Sequence, residues 1–310
     1  MKETSPSIGS GDDEESIEPS EKDAISSVIA LTMSLLVIFA SSITIIYLWK
    51  GENGFVIERP ASALLSWQME YMDLIGATND SLSGLDGGGV VVCVVDSGVD
   101  LDHPDLRGVE LRGWRDSING IEEPYDDEGH GTAMTGIIVS NGGLDGVAKG
   151  VDLLVAKAIN SEGQGTDETV SDSVDWCVQQ GADIISLSLG GSQSFGSGFF
   201  ATDELEQSVD DALDSGVYVV SSAGNDGEDD DGDVGSPGSV EGVICVGGIT
   251  RSGSIWSGSS EGDNDGRLWP NPILPRSDPD KKPEVVAPGH EVPVLMASGV
   301  SNSEWWGWSS

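Results

Sequence analysis

The chain has 310 residues, enough for one large or two ordinary domains of roughly 100–200 residues each. Its 54 acidic and 14 basic residues leave a formal net charge of −40. That balance excludes nucleic-acid binding, because no basic patch exists to displace phosphate counterions; a solvated acidic surface is the main reading, with calcium-bearing loops as the lesser one.

Residues 1–23 are acidic, rich in serine and without apolar periodicity, so a disordered tail is expected there. Residues 24–49 contain no charged side chain and lie between Asp23 and Lys50. As a helix this run would reach about 39 Å, enough to cross a hydrocarbon core of about 30 Å. A single transmembrane helix is the expectation. A cleaved signal peptide is the runner-up, disfavoured because its apolar region would run only about 7–15 residues before a small-residue cleavage site. Flanking charge does not orient the span: Lys2 and Lys22 on one side balance Lys50 and Arg59 on the other.

Residues 50–66 read as a linker and 67–310 as the folded domain. Within the latter, short apolar runs at Val90–Val95, Val151–Ala156, Asp183–Leu189, Gly216–Ser221 and Gly242–Gly247 predict strands. Helical spacing marks Thr132–Val139, Glu168–Gln180 and Thr202–Ser215 between them. Alternation of this kind predicts an α/β fold, a mostly parallel sheet with helices on both faces. Segments 226–235 and 257–280, rich in Gly and Asp, read as surface loops. The three cysteines, Cys93, Cys177 and Cys245, are an odd count set among apolar residues, so buried free thiols are expected.

Three motifs carry chemistry. Asp96 in DSGVD (96–100), His130 in GHGTAM (129–134) and Asn225 in SSAGND (221–226) supply an acid, a base and a hydrogen-bond donor. Asp, then His, then a late serine is one known chain order for Ser-His-Asp catalysis. Asp96 closes one predicted strand and Asn225 follows another, and in parallel sheets catalytic groups gather at the carboxyl ends of strands. His130 is flanked by Gly129 and Gly131, which allow close backbone packing at a helix start. His103 reads as a loop-shaping residue and His290 as structural or exposed.

The stretches DSGVDLDHPDL (96–106), DDEGHGTAMTGII (126–138), ISLSLGG (185–191), SSAGNDG (221–227), VICVGGI (243–249) and KPEVVAPG (282–289) resemble, in order, the signatures of the subtilisin-like serine proteases, the subtilases. The resemblance runs from about Trp67 to Ser310. It implies serine-type endopeptidase chemistry. Asp96 would orient His130, His130 would act as general base and then acid, and Asn225 would donate to the oxyanion. By the same resemblance, Ser188, Leu189 and Gly190 would form one wall of the primary specificity pocket, with Ala223 and Gly224 as the other. Gly163, Gln164 and Gly165 would form the edge that pairs with an extended peptide or protein substrate.

Two departures stand out. Ala133 follows Thr132 where the family often has His. The family's Gly-Thr-Ser nucleophile motif would fall about two dozen residues after the Ala287–Gly289 turn, and the chain stops at Ser310. This gives the expectation of a catalytic domain cut short before its serine, and therefore inactive as it stands. The alternative is a non-catalytic, membrane-tethered peptide-binding homologue. No cofactor is required for the chemistry. Structural calcium is compatible with the family, but no metal ligand set can be named: the calcium-loop template fails at Gly232, where the first ligand would be Gly227, and at Gly266, where the last would be Pro272. The membrane contact is assigned to residues 24–49, and the resemblance implies a catalytic domain outside the cell.

Overall fold

In this computed structural model, the described residues are 21–50, 59–78, 81–189, 204–227, 234–262, 281–300 and 307–310. The chain forms two compact units, Met1–Val56 and Ile57–Ser310.

The first unit contains α1 (Glu21–Lys50). Its stretch Ile25–Ile45, 21 residues long, is apolar and has no residue buried in the protein. The hydroxyls along it bond inward, Thr32 Oγ1 to Val28 O at 2.8 Å, Ser42 Oγ to Ile38 O at 2.8 Å and Thr44 Oγ1 to Ala40 O at 2.9 Å. These three hydroxyls thereby find their acceptors on their own helix. The helix is long and apolar enough to serve as a membrane anchor or as a signal segment.

The second unit is built on seven parallel strands. They are β1 (Val91–Asp96), β2 (Leu111–Asp116), β3 (Asp152–Lys157), β4 (Ile184–Leu187), β5 (Tyr218–Ser222), β6 (Ile244–Ile249) and β7 (Val285–Pro288). Their order across the sheet is β2-β3-β1-β4-β5-β6-β7. The central strand β1, VVCVVD, is buried along its whole length, the signature of a strand covered on both faces. Helices α4 (Asp167–Gln179) and α5 (Glu204–Asp214) cover one face, packing Val174 and Val209 against Val91, Cys93, Val95, Leu187 and Val219. Helix α3 (His130–Val139) belongs to the other, where Val139 meets Val94, Val155 and Leu295. Leu295 lies on β8 (Val294–Met296), which pairs antiparallel with β9 (Gly307–Ser309).

Helix α2 (Ser62–Leu74) and the cysteines differ from the sequence reading. The helix begins inside the stretch read as a linker. It is held by its buried face: Trp67 Nε1 donates to Glu291 O at 2.8 Å, and the Gln68 amide both donates to and accepts from the Asp145 backbone at 3.1 Å. The expectation of three free thiols is also corrected. Cys93 on β1 and Cys177 on α4 form a disulfide, with their Cα atoms 5.9 Å apart and 84 residues between them in sequence. Helix α4 packs on the β1 face that carries Cys93, so the fold joins what the sequence separates. Cys245 stays free and buried, and burial pushes its thiol up to about 12.

Candidate active site

Asp96 ends β1 with its side chain almost fully buried. The parallel sheet places that end beside the start of α3, and His130 Nδ1–H donates to the Asp96 carboxylate at 2.8 Å from Oδ1 and 3.0 Å from Oδ2. Asp96 Oδ1 also accepts from Ser97 N at 2.7 Å. The imidazole remains 46% exposed, and among the described residues no hydrogen-bond partner is found for its far nitrogen. The hydrogen bond to Asp96 holds the His130 pKa above its ordinary 6.5; burial opposes this, and the charges of Asp96, Glu128 and Asp126 add to the rise.

His130 is placed by a web of hydrogen bonds that the motif reading did not anticipate. The start of α3 has no side-chain cap at Gly129, so its free amides need other acceptors. Glu128 Oε2 accepts from His130 N at 2.8 Å, and Ser97 Oγ from Gly131 N at 2.8 Å. Buried Asp126 takes Thr132 N at 2.8 Å and Thr132 Oγ1 at 2.6 Å on one oxygen. Its other oxygen takes Ser97 Oγ at 2.9 Å, Gly129 N at 2.8 Å and Glu128 N at 3.2 Å. Thus Ser97, next to the acid, and Asp126, four residues before the base, lock the two together. The signal available in sequence was the acidic run Asp126-Asp127-Glu128 just before His130, which turn chemistry also explains.

The other singled-out residues sit at the same edge of the sheet. Ser188 and Leu189 leave β4, and Ala223, Gly224 and Asn225 leave the adjacent β5. Ser222 Oγ donates to Leu189 O at 3.5 Å, tying the two exits. Asn225 is exposed, on a loop pinned where Ser260 N donates to Gly224 O at 3.1 Å and Asp226 N donates to Ser260 Oγ at 3.0 Å. Leu189 packs on the core, and Ala223 is buried against Val234 and Cys245. Gly163, Gln164 and Gly165 form an exposed turn closed on Asn160, which bonds both the N–H and the carbonyl of Gln164. Gly190 lies outside the described residues, as do 228–233 and 263–280 of the expected loops. His103 is buried, with Nε2–H donating to Gly307 O at 3.0 Å and Nδ1 accepting from Asp105 N at 3.1 Å. Among the described residues no group of three acidic, His or Cys side chains is arranged to hold a metal ion.

The comparisons place these motifs in a known setting. The family model described as the subtilase family matches residues 87–307. The chain is 35% identical over 225 residues to serine protease AprX of Bacillus subtilis (strain 168), covering 69% of this chain and 49% of that one. It is 35% identical over 193 residues to subtilisin DY of Bacillus licheniformis, covering 61% and 67%. A crystal structure of a cold adapted subtilisin-like serine proteinase superposes with a TM-score of 0.55 at 27% identity, covering 72% of this chain and 69% of that one. The chain spans about half the length of AprX.

These findings correct the expectation of a domain cut short before its nucleophile and inert as it stands. The match runs through 307, the acid–base pair is assembled, and a buried serine, Ser221 on β5, makes Asp96, His130 and Ser221 a candidate triad. Ser221 is not hydrogen-bonded to His130. Ser221 Oγ donates to Ser222 O at 3.3 Å. In register it pairs with Leu187 and shares the sheet face of Leu187 and Val219, under α4 and α5, whereas His130 enters from α3 on the opposite face.

Proposed function

The chain belongs to the subtilase family, and on that premise we propose that it is a serine-type peptidase unit in which Asp96 and His130 form the acid–base pair. The observation that carries the reading is the hydrogen bond from His130 Nδ1–H to Asp96 at 2.8 Å, in a side chain that stays 46% exposed. That tautomer leaves Nε2 as the base. Nε2 takes the proton of a serine hydroxyl as the oxygen attacks the substrate carbonyl, Asp96 stabilises the imidazolium, and the proton then passes to the leaving amine. Asn225 is proposed as the donor to the oxyanion, a contribution worth about 10²–10³ in rate in such sites. The substrate is proposed to be extended polypeptide, lying between the Gly163–Gly165 turn and the exits of β4 and β5.

Two features support a localisation. The apolar helix Ile25–Ile45 is proposed as a single membrane anchor, with the peptidase unit outside the cell. The disulfide between Cys93 and Cys177 supports an oxidising compartment for that unit. Resistance of the protein to carbonate extraction, with cleavage of the peptidase unit by protease added to intact cells, would bear this out. An intracellular peptidase unit, or a mature chain lacking residues 25–45, would overturn it.

The chemical reading is tested by a serine-directed fluorophosphonate on the folded protein. Labelling that disappears in His130→Ala is the expected result. Loss of label in folded Ser221→Ala assigns the nucleophile to Ser221, and retained label assigns it to another serine. A folded wild-type protein that takes no label contradicts the proposal.

A further inference from the structure

Lys157 is the last residue of β3, whose other core positions, Leu153, Leu154, Val155 and Ala156, are all apolar. Its side chain is 0% exposed. A buried ammonium is costly and persists only when its donors are satisfied, so an aliphatic side chain would fill this strand position at lower cost. Here all three donors are used. Nζ donates to Ser97 O at 2.6 Å, to Asp127 Oδ1 at 2.6 Å and to Ile159 O at 2.8 Å. The Tyr125 ring lies 4.9 Å from Nζ, and the Tyr125 hydroxyl in turn donates to Asp116 at 3.0 Å.

The three acceptors belong to three different loops. Ser97 follows Asp96, Asp127 precedes His130 by three residues, and Ile159 leads into the Asn160–Gly165 turn. We infer that Lys157 is a positioning residue that holds the loops of the acid, the base and the substrate edge in one fixed arrangement. It touches neither reacting group and acts through Ser97 and the Asp126–Gly129 turn. This inference rests on the reading of Asp96 and His130 as the acid–base pair.

The test is nuclear magnetic resonance of the His130 ring in the folded full chain. The groups that face His130 are Asp96, Glu128 and Asp126, and those that face Lys157 are Asp127 and Tyr125. In Lys157→Met, loosening of the loops should weaken the Nδ1–H signal and bring the His130 titration down toward the ordinary value of about 6.5. Loss of a neighbouring positive charge alone would move it up, so the direction separates positioning from plain electrostatics. Should Lys157→Met fail to fold, a pair at the half-exposed partner decides. Asp127→Asn keeps an oxygen for Nζ and should retain the wild-type signal, while Asp127→Ala should lose it. An unchanged Nδ1–H signal in Asp127→Ala, or an upward His130 titration in folded Lys157→Met, overturns the inference. Wild-type protein without serine-directed reactivity would instead overturn the functional reading, and the His130 signal would still decide the role of Lys157.

Discussion

Gly131 packs directly on Gly98: a Cβ at position 131 would lie 2.2 Å from the Gly98 carbonyl oxygen. Gly98 itself has φ +120°, and a Cβ there would meet Tyr125 O at 2.0 Å. This backbone-on-backbone contact brings the start of α3 against the end of β1, and the acid–base distance depends on it. Gly131→Ala must therefore push the two segments apart. Overpacking of this kind costs about 1–3 kcal/mol, or a fall in Tm of roughly 3–10 °C for a unit this size. Thermal unfolding measures that loss. Serine-directed reactivity should fall further than stability accounts for, because His130 moves with the helix.

Asp126 accepts five hydrogen bonds from Ser97, Glu128, Gly129 and Thr132 while almost fully buried. Asp126→Ala leaves those donors without an acceptor, at a cost of about 3 kcal/mol. Chemical denaturation should show the loss with an unchanged m-value. Ser97→Ala removes one acceptor and one donor of the same web and should cost less than Asp126→Ala.

The disulfide between Cys93 and Cys177 closes a loop of 84 residues in sequence separation. Replacing both cysteines with alanine should lower stability by about 2–4 kcal/mol. Under native conditions neither the disulfide nor Cys245 should react. All three cysteine side chains are fully buried, and burial pushes the Cys245 thiol up to about 12. Mass spectrometry after brief alkylation should find an unmodified chain, with one modified thiol in denaturant and three after reduction. Modification of Cys245 in the native protein would show that the β6 region opens.

Much of this was written in short motifs. The buried run of β1, the Asp at its end and the glycines around His130 each have a local physical reason, so they were legible one residue at a time. The half-exposed edge strand β2, LRGWRD, lacks both a clean alternation and an apolar run, so nothing in its sequence marks it as a strand. The small antiparallel pair β8 and β9 has only three residues in each strand. The disulfide, Asp126 and Lys157 were out of reach for a different cause. Their roles exist only once strands far apart in sequence become neighbours, and an Asp in a turn or a Lys at a strand end is unremarkable until then.

The hydrogen bond between His130 and Asp96 carries the account, and titration of the His130 ring tests it most directly. Because Asp96 bonds the protonated ring, with burial opposing, His130 should titrate above 6.5 in the folded protein. The pair then adds stability that is complete below about pH 6.5 and is lost as pH rises through the higher folded value. A general base must be neutral, so reactivity should follow the opposite course and rise with pH through the same value. The result predicted is a nitrogen-15 titration of His130 above 6.5, with the proton on Nδ1 at high pH, that drops in Asp96→Asn. Titration at or below 6.5 in the wild-type protein, or no change in Asp96→Asn, would contradict the account.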